Sequence, residues 1–434
     1  TGQRGRLCVH EGCASRHSPS QQESKMQNFS ELPISPSLKE RLTAARFFVP
    51  TAVQAATIPP AMEGKDVLAT AQTGTGKTLA FLIPVMEKLV QRNAPGIGAL
   101  VLLPTRELAM QVAEQFDALR GKQLAPAALV VGGLAEGPQL NAIRKGARIV
   151  IATPGRLEDF LDRRLVRLES LQTLVLDEAD RMLDMGFLPS IRRIVSILPK
   201  DRQTMCFSAT MEASVAHLVK DYMRNPVRLA FGSTLKPSEN VRLQAFEVST
   251  EQKHGMLCHL LNQEKGRCLV FSRTKRGTDR IAKLLKWRGI DAAVIHGDRS
   301  QSQRTAALAG FQQGRHRVLV ATDVASRGIH VENIAHVINY DLPDLAENFI
   351  HRVGRTGRAG AQGVATTLFS RDQRTEIFQL ERTLGLKIER LPVDLGSLAK
   401  QEKDNEDRLN RMAPAFKRQL VRLPGEYLQA QMQG

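Results

Sequence analysis

Cysteine is scarce in this 434-residue chain: five, at Cys8, Cys13, Cys206, Cys258 and Cys268. They are scattered, and three lie in apolar or helical runs such as QTMCFS and CLVF. That excludes a disulfide framework and fits thiols kept reduced as small core residues. Long apolar runs are also missing. The strongest, AFLIPVMEKLV, is broken by Pro84, Glu87 and Lys88 and falls short of the roughly 20 residues that cross a bilayer, so no membrane-embedded segment is expected. No apolar stretch follows the early basic residues as in a signal peptide, and TGQRGRLCVH makes a poor organelle address, which favours the cytoplasm. No short-period repeat is visible. Acid is in deficit, 44 Asp plus Glu against 61 Lys plus Arg, for a formal charge of +17. A polyanionic partner follows, and nucleic acid or an anionic membrane surface would each satisfy it.

What is present describes a globular protein of two or three domains, with 42% hydrophobic and 24% charged residues. From Met26 onward, short β-branched or aliphatic runs alternate with longer amphipathic stretches. DVLAT, ALVLL, ALVVG, RIVIA, TLVL and QTMCFS come first; RCLVF, AAVIHG, RVLVAT, HVINY and GVATTLF follow. The alternation predicts α/β architecture with parallel sheets wrapped by helices. The Gly-, Ser- and Pro-containing stretch between the two series reads as a linker. The expected layout is a disordered tail at 1–25, domains at 26–228 and 243–393, a linker at 229–242, and a polar, mixed-charge helical tail at 394–434. CVHEGCASRH gathers Cys8, His10, Cys13 and His17, but the spacing matches no zinc finger and the segment has no apolar core of its own.

Chemistry enters at AQTGTGKT, which follows the strand DVLAT and precedes a helical run. From Ala71 and Gln72 through Thr73, Gly74, Thr75 and Gly76, small residues let successive backbone N–H groups close on phosphate oxygens; Lys77 reaches the outer phosphates and the Thr78 hydroxyl suits Mg²⁺. In TLVLDEADRML, three carboxylates follow an apolar strand. Alone they read as the acidic first turn of a helix. With a phosphate loop in the same sheet, Asp177 is placed to coordinate Mg²⁺ and Glu178 to orient or deprotonate an attacking water. Asp180 either caps the helix or reports nucleotide state to another segment.

DEAD at 177–180, AQTGTGKT at 71–78, PTRELA at 104–109, TPGR at 153–156, SAT at 208–210 and HRVGRTGR at 351–358 stand in one order. Together they resemble the DEAD-box family of ATP-dependent RNA helicases over about residues 29 to 390. The chain is similar to compact bacterial members, with little beyond the core. The resemblance implies two tandem RecA-like domains, ATP and Mg²⁺ as cofactors, and RNA as a partner read with weak sequence preference.

By the same resemblance, Phe47 would stack on adenine and Gln54 would hydrogen-bond its edge, giving ATP preference over GTP. Arg46 stands where the family usually has Gly. Pro104, Thr105, Arg106, the Gly132–Gly133 pair, Thr153, Pro154, Gly155 and Arg156 would form one wall of an RNA groove. Ser272, Arg273, Gly297, Gln301, Arg304 and Thr322 would form the other. Ser208 and Thr210 would couple Asp180 toward His351. Asp323 and Gly328 are expected near the nucleotide, with His330 in place of the usual Asp and Ser326 in place of the commoner Ala. Around the turns of HRVGRTGR stand Arg352, Arg355 and Arg358; the last two are assigned to the γ-phosphate, as arginine fingers acting with Lys77 and Glu178. The resemblance further implies a monomer, with ribosome-assembly or RNA-degradation proteins as its protein partners. A DNA helicase would share the phosphate loop and fingers, and an ATP-gated RNA clamp with little unwinding would use the same residues.

Overall fold

Runs of Val, Ile, Leu and Ala with almost no polar interruption form strands covered on both faces, and such strands sit in parallel sheets. The computed structural model describes residues 28–71, 74–92, 94–211, 213–231, 240–323, 331, 333–357, 361–393 and 396. Its first sheet holds β1 (Val67–Ala71), β2 (Ala99–Leu102), β3 (Ala128–Val130), β4 (Ile149–Ala152), β5 (Thr173–Leu176), β6 (Gln203–Ser208) and β7 (Val227–Phe231). Its second holds β8 (Val241–Glu247), β9 (Arg267–Phe271), β10 (Ala292–Ile295), β11 (Val318–Ala321), β12 (Ile334–Asn339), β13 (Gly363–Phe369) and β14 (Glu389–Leu391).

Both sheets are parallel, ordered β3-β4-β2-β5-β6-β1-β7 and β10-β11-β9-β12-β13-β8-β14. Counted from its own first strand, each follows the same permutation, so the two α/β units are topological copies. Alternate residues of one strand feed opposite cores: on β1, Val67, Ala69 and Ala71 face one helical layer and Leu68 the other. Each fully buried Val, Leu or Ile contributes about 1.5–3 kcal/mol.

Two strands reach into the segment expected as a linker, since Leu229–Phe231 belong to β7 and Val241–Arg242 to β8. Pairing explains it. β7 adds to the outside of β1 in register from Val67 opposite Val227 to Ala71 opposite Phe231, and as an edge strand it is alternately half-buried and exposed. Residues 232–239 lie outside the described residues, as do both predicted tails except residue 396; Cys8, His10, Cys13 and His17 fall in the first of these tails. The other three cysteines are buried free thiols, and burial pushes Cys206 up to about 12.

The lower end of the first sheet is fastened by one carboxylate. Asp66, buried just before β1, accepts from the Thr204 N–H at 2.7 Å and the Arg224 N–H at 2.6 Å, joining the starts of β1 and β6 to the turn before β7. Asp66→Ala leaves two backbone donors unpaired and should cost about 1–3 kcal/mol. A lower urea midpoint with unchanged slope would show it; an unchanged midpoint would contradict it.

Candidate functional site

The carboxyl ends of parallel strands gather the loops that precede helices, so ligand chemistry collects there. After β1, Gly74 (φ +87°) and Gly76 (φ +93°) turn the chain through the left-handed region into the helix Lys77–Gln91. Lys77 is its first residue and is buried, with Nζ donating to the Ala71 carbonyl at 3.0 Å. Gln54 braces the loop: its Oε1 accepts from the Thr51 N–H at 2.9 Å and its Nε2 donates to the Gly76 carbonyl at 3.0 Å. A Cβ on Gly76 would collide with that amide. Phe47 is half-buried against the core at the same mouth. Arg46 takes φ +62°, at a cost of about 1 kcal/mol for a residue with a Cβ.

Asp177 follows β5, is buried, and accepts the Glu178 N–H at 2.9 Å. Burial pushes its pKa up to about 6; Lys77 opposes the rise and Glu178 adds to it. Glu178 takes φ +51°, a strained backbone of the kind found at functional sites. Burial works against its charge too, but Arg181, Lys77 and Arg355 together outweigh that and hold the carboxyl at about 2. Arg181, only 2% exposed, pairs directly with Oε2 of Glu178. Sequence reasoning passed over Arg181 because a cation in the turn after acids reads as a surface residue.

Asp180 is no simple cap. Its Oδ2 accepts from the N–H of Ala209 (2.8 Å), the N–H of Thr210 (2.9 Å) and the Thr210 hydroxyl (3.2 Å), while Ser208 Oγ donates to the Thr210 carbonyl at 2.7 Å. The expected tie from Asp180 to SAT is therefore direct. His351, from the second unit, is electrostatically close: burial, then the Arg181 charge, lowers its pKa to about 3 against the pull of Asp180. Its Nδ1 is buried without a hydrogen-bond partner.

Arg355 comes from the second unit, is buried, donates Nε–H to the His351 carbonyl at 3.3 Å, and lines one cleft with Gln54, Gly76, Lys77, Asp177 and Glu178. That cleft is ≈ 720 Å³ in volume, and Thr78 lines it as well. Arg352 does different work. It grips Asp323 through two bonds, at 2.6 and 2.7 Å, and donates to the Asp341 carbonyl at 2.7 Å, so both residues serve to shape the second unit. Gln72, Thr73, Ser326, Gly328, His330 and Arg358 lie outside the described residues.

Among the described residues no group of three or more His, Cys, Asp or Glu is arranged to hold a metal. Magnesium does not need one, since it is commonly held by one or two oxygen ligands plus phosphates. A dry carboxylate raised to about 6 beside a hydroxyl in a phosphate-sized cleft fits a hard cation.

The predicted groove residues divide into two kinds. Thr105 caps the helix Arg106–Leu119 with its side chain, while Thr153 stands at the N-cap position of the helix Pro154–Asp162 with no capping bond from its side chain; with Pro104, Pro154 and Thr322 they are buried, so they shape backbone. Ser272 is buried as well and donates to Asp341 at 3.0 Å, while exposed Arg273 pairs with Asp344 at 3.3 Å. The charged set does converge. Arg106 lies over Gly132 and Gly133, where a Cβ on Gly133 (φ +74°) would collide with its guanidinium. Burial, then Arg304 and Arg156, lowers its pKa, which reports three guanidiniums from two units crowded together. Gly155 and Gly297 are exposed; a Cβ on Gly155 would touch nothing, and one on Gly297 would meet the Lys275 side chain.

Between the units sits a residue that the sequence reading missed, Glu107. Its Oε1 accepts a hydrogen bond from Gln301 Nε2 at 2.9 Å and forms an ion pair with Arg304 Nε at 2.9 Å, both from the second unit. PTRELA held the signal, but only the fold supplies partners almost 200 positions away.

The family model described as DEAD/DEAH box helicase matches residues 51–218, and that described as Helicase conserved C-terminal domain matches residues 252–360. The chain is 40% identical to DEAD-box ATP-dependent RNA helicase CshA of Bacillus subtilis over 364 residues, 84% of this chain and 74% of that protein. To DEAD-box ATP-dependent RNA helicase 30 of Arabidopsis thaliana it is 40% identical over 384 residues, 86% of this chain and 65% of that protein. Its structure is similar to S. cerevisiae Dbp5 bound to RNA and ADP BeF3, with TM-score 0.77, 29% identity, and coverage of 87% of this chain and 99% of that one. A DEAD box protein from Methanococcus jannaschii gives TM-score 0.51 at 39% identity, covering 84% and 99%.

Two substitutions probe the missed residues. Arg181→Met should raise the Glu178 pKa by about one unit or more, moving the acid limb of the kcat profile to higher pH, with Arg181→Lys restoring most of it. A profile unmoved in a folded Arg181→Met chain would contradict the pairing. Glu107→Ala should cut about tenfold from the gain in RNA affinity produced by an ATP analogue, leaving nucleotide-free RNA binding undiminished. Equal losses with and without nucleotide would contradict a role in closure.

Proposed function

The chain belongs to the DEAD-box family of ATP-dependent RNA helicases, enzymes that hydrolyse ATP and act on RNA, and we propose that its two lobes, about residues 26–228 and 243–393, close over ATP and RNA to separate short duplexes locally. One observation carries this reading: Lys77, Asp177 and Glu178 of the first lobe share a single cleft with Arg355 of the second.

The loop from Ala71 to Thr78 receives the phosphates, and Lys77 exchanges the Ala71 carbonyl for the outer phosphate oxygens. Thr78 and Asp177 would hold Mg²⁺, which when bound neutralises charge on the phosphate chain. Glu178 at a pKa of about 2 is a weak base, so its first task is orientation: Arg181 fixes Oε2, and Oε1 accepts a hydrogen bond from the attacking water. Arg355 stabilises the charge that builds on the departing phosphoryl group, joined by Arg358. Phe47 covers the base, with Gln54 holding the loop that faces it.

Across the lobes, Arg106, Arg156 and Arg304 take strand phosphates, which positions RNA without reading its sequence. ATP and RNA each favour the closed arrangement, so each strengthens binding of the other. Asp180 with Ser208, Thr210 and His351 links the two sites, and a strand bent in the closed groove loses its pairing. The same reading makes the protein a cytoplasmic monomer, where its buried thiols stay reduced, working with ribosome-assembly or RNA-degradation proteins.

Single-stranded RNA should stimulate ATP hydrolysis and single-stranded DNA should not; equal stimulation would defeat the RNA assignment. Arg355→Ala should lower kcat about 10³-fold or more with little change in ATP affinity. Glu178→Gln should accumulate a closed, RNA-bound, slowly hydrolysing complex. Normal turnover in either variant would remove that residue from the mechanism.

A further inference from the structure

The opposite end of the first sheet, where the strands begin, carries a second cavity of ≈ 460 Å³. The loop before β1, the last turn of the helix Lys77–Gln91 and the residues leading into β6 and β7 enclose it. The five residues of β1, roughly 16 Å at about 3.3 Å each, separate it from the phosphate loop.

Charge is unevenly settled in this cavity. Each of its three carboxylates is engaged: Glu63 with Lys65 at 2.6 Å, Asp201 with Arg224 at 3.2 Å, and Asp66 with the N–H groups of Thr204 and Arg224. Three cations remain, Lys88, Arg92 and Arg202, none in an ion pair among the described residues. Lys88 is half-buried and donates to Gln203 Oε1, its ammonium lying over Gly64 at the rim. Burial, then repulsion from Arg92, pushes it down to about 8, with Asp66 opposing. The nearby helix C-terminus favours a cation in the last turn, so it does not account for this depression. Arg202 donates to the Pro199 carbonyl at 2.8 Å, while its Nε is buried with no hydrogen-bond partner.

Three cations with no ion pair among the described residues, gathered on one cavity and held together at the cost of a lowered ammonium pKa, make a site that an anion would relax. No aromatic ring lines the cavity, so nothing there selects a base or sugar; Met62 is its main apolar wall. We propose that this cavity binds a short linear polyphosphate, of the size of pyrophosphate or tripolyphosphate, on Lys88, Arg92 and Arg202. The phosphate chain, free or carried by a nucleotide, is the recognised element.

The test is calorimetric titration of the full chain with tripolyphosphate, in a Lys77→Ala background that disables the phosphate loop. One binding event should survive in that background. Adding Lys88→Gln or Arg92→Gln should weaken it about tenfold or more, as loss of a charge-assisted contact would. ADP in place of tripolyphosphate distinguishes the source: Lys88-dependent binding of ADP as well means that a nucleotide tail suffices, and binding of tripolyphosphate alone means that the free chain is required. Loss of all binding in Lys77→Ala, or binding indifferent to Lys88→Gln, would overturn the proposal. So would Lys88-dependent binding of an RNA oligonucleotide without binding of tripolyphosphate. If Lys88→Gln fails to fold, the exposed Arg92→Gln decides the matter by the same criterion.

Discussion

Two adjacent carboxylates at the end of a buried strand can both be ionised only if cations are brought to them. Asp177 and Glu178 are such a pair, and the rest of the site follows from how their charge is met. Lys77 comes from the loop after β1, Arg181 from the turn that follows, and Arg355 from the other lobe. The division is unequal: Glu178 receives most of this support and settles at about 2, while Asp177 is left at about 6. The carboxylate short of compensation is the one suited to a divalent cation. The well-compensated one has a fixed oxygen and a strained backbone, which suits the orientation of a water. Since one compensating charge belongs to the second lobe, the electrostatics of the site depend on the lobes being together.

The face proposed for RNA meets the reverse problem. Arg106, Arg156 and Arg304 crowd positive charge; Glu107 pairs with Arg304, accepts from Gln301 and favours the charge on Arg106, while Glu136 lies 3.8 Å from Arg156. Glu107 joins the lobes, and phosphate bound on the three guanidiniums would relieve the repulsion that remains. In the proposed closure, binding at one face and hydrolysis at the other would meet, with Asp180 between them touching the SAT segment directly. Such coupling would need no long chain of contacts, since Asp180 lies close to Glu178 in sequence and acts electrostatically on His351 of the other lobe.

Much of the fold was legible because its strands are buried on both faces, so that TLVL or RVLVAT reads as strand without ambiguity. The phosphate loop was equally legible, since its glycines occupy backbone conformations closed to other residues. Strands β7 and β8 were hidden: one is a half-exposed edge and both border a stretch rich in turn-formers. Within the site, the motifs named the right neighbourhoods but not the bonds. Gln54 braces Gly76, Ser272 serves Asp341 and Arg352 serves Asp323, each across tens of positions that local patterning does not span. Arg181 and Glu107 escaped notice for a related reason. A charged residue in the first turn of a helix looks solvated until the fold shows what covers it.

The identical strand order of the two lobes raises the question of why only one binds phosphate. Position for position, β8 corresponds to β1 and β12 to β5. Lys253 opens the helix after β8 as Lys77 opens the helix after β1, and Asp341 follows β12 closely, as Asp177 follows β5. The second pair even meets, with Lys253 Nζ 3.9 Å from Asp341 and 3.1 Å from the Tyr340 carbonyl. What differs is the loop. Gly74 and Gly76 turn through the left-handed region before Lys77, whereas STEQK enters its helix through Gln252 with ordinary right-handed geometry and no such glycine turn. Asp341 is moreover engaged by Ser272 and the Arg273 N–H, so the second lysine and carboxylate are fastened into packing. One copy of the fold keeps an open cradle and the other fills the equivalent place, leaving the second lobe to contribute guanidiniums across the gap. A site assembled in that way is complete only when both lobes supply their part.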